Sequence, residues 1–277
     1  EEVSAPGGRL VGEAQPGAEI MRTVPAKKIH AVGGGTYVID FGENVAGWAR
    51  LALRGQKKGD VVSVRYDERV QDDGTPARPS VRDGLNDFNF WGGDPDEAAR
   101  RRRIDEHFRY TASHRVCPVD AAFQTDRVVC SGAAVETYEP RFVYHGFRYA
   151  IVKGLRQAPK PEDAVACVIH TAFPTIGSFA CSDATFNALM EMGDKAYRGN
   201  FVDGVPTDCP HREKNGWTGD ASIASELAQY LFENTAAYEK WLRDLLDAQL
   251  PDGNLPGIVP SSGWGYHWGN GAGWDSA

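Results

Sequence analysis

The sequence predicts an antiparallel β-sandwich followed by helices. Three observations carry that expectation. Between residues 36 and 173, short runs alternate apolar and polar side chains and are separated by turn formers. Val62, Val64 and Tyr66 set against Ser63 and Arg65 are the clearest case, and such period-two alternation marks strands with one buried face. After about residue 175 the apolar spacing lengthens to that of helices with one buried stripe. Between two of those helices lies an eighteen-residue polar stretch, DGVPTDCPHREKNGWTGD (203–220). Long connections of that kind in compact domains are uncommon and are usually functional.

Taken in order, residues 1–35 are rich in Gly, Pro and Ala, show little periodicity and form a leading segment. TYVIDF (36–41), GENVAG and WARLAL (48–53) read as a hairpin, with GENVAG as its turn. GQKKGD is a second turn, before the strand VVSVRYDE (61–68). Residues 70–125 break the rhythm: a loop-like stretch full of turn formers precedes EAARRRRIDEHFRYTA (97–112), which suits one exposed helix. DRVVCSG (126–132), VETYEP (135–140), FRYAIVKG (147–154) and AVACVIHTAF (164–173) restore the strand pattern. In FRYAIVKG the expected buried set is Phe147, Tyr149 and Ile151. Several short strands with turns between them suit an antiparallel sandwich.

Ser182 is a good N-cap for a first helix carrying Phe186, Leu189, Met190, Gly193, Ala196 and Tyr197. A second begins near Gly219, with Ile223, Leu227, Tyr230 and Leu231 on one face. Asn234 suits the cap of a third, with Tyr238, Trp241, Leu242, Leu245 and Leu246. Three such helices bury one another poorly, so the chain is expected to be a fragment of a longer helical domain.

Composition narrows the function classes. The 277 residues are 42% hydrophobic and 25% charged, as in soluble globular proteins. The net charge of −8 argues against nucleic acid or an anionic membrane as the main partner. The run Arg100 to Arg103 is surrounded by acids and reads as a solvated helix face. Five scattered cysteines make neither a disulfide framework nor a zinc site. No stretch approaches the roughly 20 apolar residues of a membrane helix. The N-terminus has no signal-peptide pattern and no initiator Met. Cytoplasmic and exported locations both stay open, and so does the oligomeric state.

In the central stretch, Asp208, Glu213 and Asp220 bracket Trp217. Carboxylates accept hydrogen bonds from sugar hydroxyls, and an indole face packs on the C–H face of a pyranose. Glycoside hydrolysis needs one protonated carboxylic acid and a second carboxylate as base or nucleophile. A Glu next to an apolar surface holds its proton more tightly. Glu213 near Trp217 fits, although Arg212 and Lys214 oppose the effect. Purely structural roles compete: Asp208 as a turn cap before Pro210, and Asp220 as a first-turn residue favoured by the helix dipole. No other motif supports a Cys209–His211 nucleophile pair or a metal held by Asp208, Cys209 and His211.

PTDCPHREKNGWTGDA resembles the signature block of the bacterial α-L-rhamnosidases of glycoside hydrolase family 78. YVIDFGENVAGWARLALRG (37–55), YEPRFVYHGFRYAIVKG (138–154), GSFACSDATFN (177–187), YEKWLRDLLDAQLPDGNLPGIVP and the closing AGWDSA are similar to further blocks of that family. The likeness runs from about residue 15 onward, except about 72–124. It implies a jelly-roll-like β-sandwich over 36–174, with an insertion at about 72–124, leading into an (α/α)6 barrel of which 175–277 is the N-terminal part. It also implies inverting hydrolysis of terminal α-L-rhamnosides on a rhamnosylated glycan or glycoside, with no cofactor. Position by position, Glu213 matches the general acid, while Asp208, Arg212, Trp217, Asp220 and, less closely, Trp274 match residues lining the rhamnose pocket. His211 stands where many members have Gln. The family's general base is a Glu beyond residue 277, so this segment alone is expected to be inactive. The competing readings are another six-hairpin glycosidase and a non-catalytic carbohydrate-binding protein on the same fold.

Overall fold

The structure, a computed structural model, describes residues 12–71, 124–211 and 214–260, with Gly7, Gly74, Tyr266 and Trp274. The helix expected over 97–112, the arginine run within it, and both Arg212 and Glu213 lie outside the described residues.

Antiparallel strands come first: β1 Ala18–Pro25, β2 Lys28–Gly33, β3 Thr36–Arg54, β4 Val61–Asp67, β5 Thr125–Val129, β6 Val135–Tyr138, β7 His145–Lys153 and β8 Ala164–Thr171. Among the described residues they form one sheet in the order β1-β8-β3-β7-β4-β5, with β2 and β6 also paired to β3. Strands β1 and β2 fall inside the leading segment. Their residues are mostly exposed, so they carry no apolar alternation that would reveal them.

The expected hairpin over 36–53 does not form. GENVAG is a bulge within one 19-residue strand, and the β7 register jumps between Asp40 and Val45. Asp40 closes the bulge: Oδ1 accepts from Gly42 N at 2.7 Å, and the carboxylate accepts from Arg148 at 2.9 and 3.0 Å. The first part of β3 pairs with β2 and β7, and the last part with β8 and β6. A strand bent by a bulge can serve two layers in this way.

The core side of β4 is Val62, Val64 and Tyr66, all fully buried, as the alternation indicates. On β7 the alternation differs from expectation: Phe147, Ala150 and Val152 join the main core, while Tyr149 is half-exposed. The change of face falls opposite the β3 bulge, where the pleat slips. Phe147 meets Phe41 edge-on at 5.7 Å and Tyr66 at 4.8 Å. Each such buried ring contributes about 1.5–3 kcal/mol.

Helices follow: α1 Ala184–Asn200, α2 Thr218–Leu231 and α3 Thr235–Ala248. The cap of α1 is Asp183 rather than Ser182; its carboxylate accepts from Thr185 N at 2.7 Å. Asn234 precedes α3 but makes no side-chain cap there. Instead its Nδ2 donates to Tyr197 Oη at 2.9 Å. A second core gathers Phe173, Tyr197, Phe201, Leu231 and Phe232, with Tyr197 and Phe232 stacked at 5.2 Å. Only part of each expected helix stripe enters it. Phe186, Leu189, Ile223, Tyr230, Leu242 and Leu246 are exposed, while the small residues Ala228 of α2 and Ala237 of α3 are buried in this core. No helix among the described residues is long and apolar enough to cross a membrane.

Candidate active site

The stretch 203–220 is less open than its composition suggests. It starts inside a two-stranded ribbon, β9 Phe201–Val202 with β10 Val205–Pro206. The intervening turn puts Asp203 and Gly204 at φ 57° and 83°. Positive φ at both central positions is the requirement of a tight hairpin turn, which Asp-Gly meets readily. The ribbon is tied to the sandwich by Thr171 Oγ1, which donates to Phe201 O at 3.1 Å.

Asp208 then closes the loop on itself. Its N donates to Asn215 O, and its Oδ1 accepts from Asn215 N, both at 3.0 Å. Its other carboxylate oxygen accepts from Cys209 Sγ at 3.2 Å. Asp208 therefore has a structural role, but as the closure of the loop on Asn215 rather than as a cap of a turn before Pro210, and it is half-buried at the loop's neck.

Past the loop, Trp217 is the N-cap residue of α2 and forms a bridge with Ile258. Thr218 N donates to Gly257 O at 3.1 Å, and Val259 N donates to Gly216 O at 2.8 Å. Trp241 of α3 pins this second segment, its Nε1 donating to Val259 O at 3.0 Å. Asp220 lies in the first turn of α2, where the helix dipole favours a negative charge. Trp274 lies over the same turn: a β-carbon on Gly219 would come within 2.5–3.0 Å of its indole ring atoms. Only glycine lets that ring approach so closely. Trp217, Asp220 and Trp274 thus lie at the start of α2, and Asp208 is bonded to Asn215, three residues before that helix. Arg212 and Glu213 belong to the same loop by sequence but lie outside the described residues.

The sandwich forms the floor beneath the loop. Gly146 of β7 lies directly under Pro210 and His211. His211 Nδ1 stands 3.6 Å from Glu68 Oε1. Lys214, at φ 56°, donates from Nζ to Tyr144 O, and its ammonium lies 4.5 Å from the centroid of the Tyr144 ring. Burial holds the Lys214 pKa down to about 8, against the pull of Asp126 and Cys209. The same burial pushes the Tyr144 phenol up to about 12. Lys214, one of the two charges that the sequence suggests would oppose a protonated Glu213, is therefore engaged with the sandwich.

Behind Tyr144, His145 is buried and stacks on Tyr66 at 4.1 Å. Its ring nitrogens face Gln124 Oε1 at 2.9 Å and Asp126 at 3.1 Å. Tyr138 Oη donates to Asp126 Oδ2 at 2.5 Å, and Gln124 Nε2 donates to Gly146 O at 2.8 Å. Sequence reasoning gave Tyr144, Asn215 and this network no part in the site. The block 138–154 stood out, but nothing in it shows that Tyr144 meets a residue seventy positions on. Among the described residues there is no group of three potential metal ligands.

Comparison with known proteins adds to this geometry. Residues 30–170 match the family model described as the bacterial alpha-L-rhamnosidase concanavalin-like domain. Residues 174–277 match the bacterial alpha-L-rhamnosidase 6 hairpin glycosidase domain. The chain belongs to the bacterial α-L-rhamnosidase family. It is 33% identical over 271 residues to an α-L-rhamnosidase of Streptomyces avermitilis, covering 97% of this chain and 22% of that relative. It superposes on the α-L-rhamnosidase of Dictyoglumus thermophilum with a TM-score of 0.79 and 30% identity, over 99% of this chain and 26% of that one. On the Streptomyces avermitilis enzyme complexed with L-rhamnose the TM-score is 0.72 at 31% identity, over 91% of this chain and 21% of that one. The chain thus spans about a fifth of the curated rhamnosidase it matches.

Proposed function

We propose that this chain contributes half of the catalytic site of an inverting α-L-rhamnosidase acting on terminal rhamnose of a glycan or glycoside. In this reading residues 175–277 open an (α/α)6 barrel and 36–174 are the sandwich that precedes it. The observation that supports the proposal is the position of Trp217, Asp220 and Trp274 at the start of α2, with Asp208 bonded to Asn215 just before it, in a chain of this family. Two carboxylates and two indoles at, or just before, one helix start suit a pyranose: acceptors for its hydroxyls and flat apolar faces for its C–H surface. A relative of the same family solved with L-rhamnose bound supports that sugar.

Glu213, between the two carboxylates in sequence, is the general acid that protonates the glycosidic oxygen. Arg212 is a further sugar contact. Inversion needs a second carboxylate on the opposite face of the ring, about 6.5–9.5 Å from the first, to activate water. That base lies downstream of residue 277.

The test uses the full-length protein. It should release p-nitrophenol from p-nitrophenyl α-L-rhamnopyranoside, and proton NMR should show the β-anomer of rhamnose forming first. Glu213→Gln should lower kcat/KM on a rhamnosyl disaccharide by about 10²–10⁴-fold. Appearance of the α-anomer first would overturn inversion, and an unimpaired Glu213→Gln enzyme would overturn the acid assignment.

A further inference from the structure

We propose that Lys214 is a positioning residue for the acid: anchored on Tyr144 of the sandwich, it fixes the closing end of the loop, immediately after Glu213 in the sequence. The inference rests on the reading of Glu213 given above. It starts from the backbone. Lys214 has φ 56°, a left-handed conformation that a long side chain adopts only where its surroundings over-determine it. Here the surroundings are specific. Lys214 N donates to Cys209 O at 3.2 Å, which closes the loop across its width. Its Nζ donates to the Tyr144 carbonyl, and its ammonium lies over the Tyr144 ring. On either side the loop is held again, by Asn215 on Asp208 and by Pro210 and His211 on Gly146.

The chemistry of the contact also argues against a solvated surface lysine. The ammonium is drawn into a half-buried place, where its charge is met by a carbonyl dipole, an aromatic face and the field of Asp126. Asp126 is itself held by His145 and Tyr138. A lysine whose only task was solubility would keep its charge in water. The anchor therefore links the sandwich to the catalytic apparatus: Lys214 of the barrel loop is held by a strand approach some seventy residues earlier in the chain.

A merely structural lysine and a positioning one differ in leaving-group dependence. Proton donation matters most when the leaving group is poor, so misplacing the acid harms a disaccharide far more than an activated aryl glycoside. In the full-length protein, Lys214→Met should lower kcat/KM on a rhamnosyl disaccharide by about 100-fold. On 2,4-dinitrophenyl α-L-rhamnoside the loss should stay under about 5-fold. Tyr144→Ala, which removes the ring and keeps the carbonyl, should show the same asymmetry with smaller losses. It decides the matter if Lys214→Met does not fold. Equal losses on both substrates, or none on either, overturn the proposal. Glu213→Gln is measured alongside. If it lacks the asymmetry, the acid assignment has failed, which is separable from failure of the anchor.

Discussion

Gly146 offers a direct test of how the sandwich sets the position of the signature loop. A β-carbon there would lie 2.8 Å from the backbone N and Cβ of His211 and from Cγ of Pro210. Carbon atoms in contact prefer about 3.5–4.0 Å, so Gly146→Ala requires a separation of roughly 0.7–1.2 Å. The strand is the stiffer partner. Gly146 pairs with Ala46 of β3, and its carbonyl accepts from the buried Gln124, so the loop should give way. Over-packing of this kind costs about 1–3 kcal/mol of stability. A misplacement near 1 Å can cost about 100-fold in rate. The expected result for the full-length protein is a kcat/KM on p-nitrophenyl α-L-rhamnopyranoside reduced by about 10–100-fold, with a folded protein by urea unfolding. An alanine variant with wild-type kcat/KM would refute the reasoning, since it would mean the loop takes its position from elsewhere.

Two further outcomes follow from the same contacts. Trp241→Phe removes the donor to Val259 O, both residues being buried, and the orphaned carbonyl should cost about 1–3 kcal/mol. The measurement is a lower urea midpoint at an unchanged m-value, and an unchanged midpoint would count against the bond. His145 bears on pH. Burial depresses its pKa below the ordinary histidine value, although Asp126 pulls it up. The unfolded chain therefore takes a proton first as pH falls, so stability declines from about pH 6.5 toward the lower folded value. Asp126, held below the ordinary carboxylate range by His145 against its burial, contributes stability above about pH 4 that is lost on further acidification. Unfolding midpoints between pH 7 and 5 should fall less steeply in His145→Gln than in wild type. Parallel slopes would contradict that account.

Legibility in the sequence tracked how one-sided each environment is. Val62, Val64 and Tyr66 face one core and read correctly. Strands β1 and β2 face solvent on most positions and give no alternation. Turn formers in GENVAG were read for their commonest use, whereas here they serve a bulge. The helix stripes were read as single buried faces, but Ile223 and Tyr230 point out and Ala228 points in; apolarity alone does not tell which neighbour a face meets. In the site, Asp208 and Asp220 were legible as both structural and chemical residues, and the structure supplies the structural half: a loop neck and a first helical turn. The Lys214–Tyr144 anchor was illegible because it joins segments far apart in sequence.

The long central strand carries a consequence for the moment of synthesis. Strand β3 depends on β7 and β8 for most of its partners, and Ala18 of β1 waits for Thr171 of β8. Some 150 residues must be made between those two. At about 5–20 residues per second, that interval is roughly 8–30 s. Through it, Ile39, Phe41, Leu51 and Leu53 have no finished layer to cover them. The sheet can be completed only as β8 emerges, just before α1 and the signature loop follow. The floor is thus laid before the loop that must be seated on it.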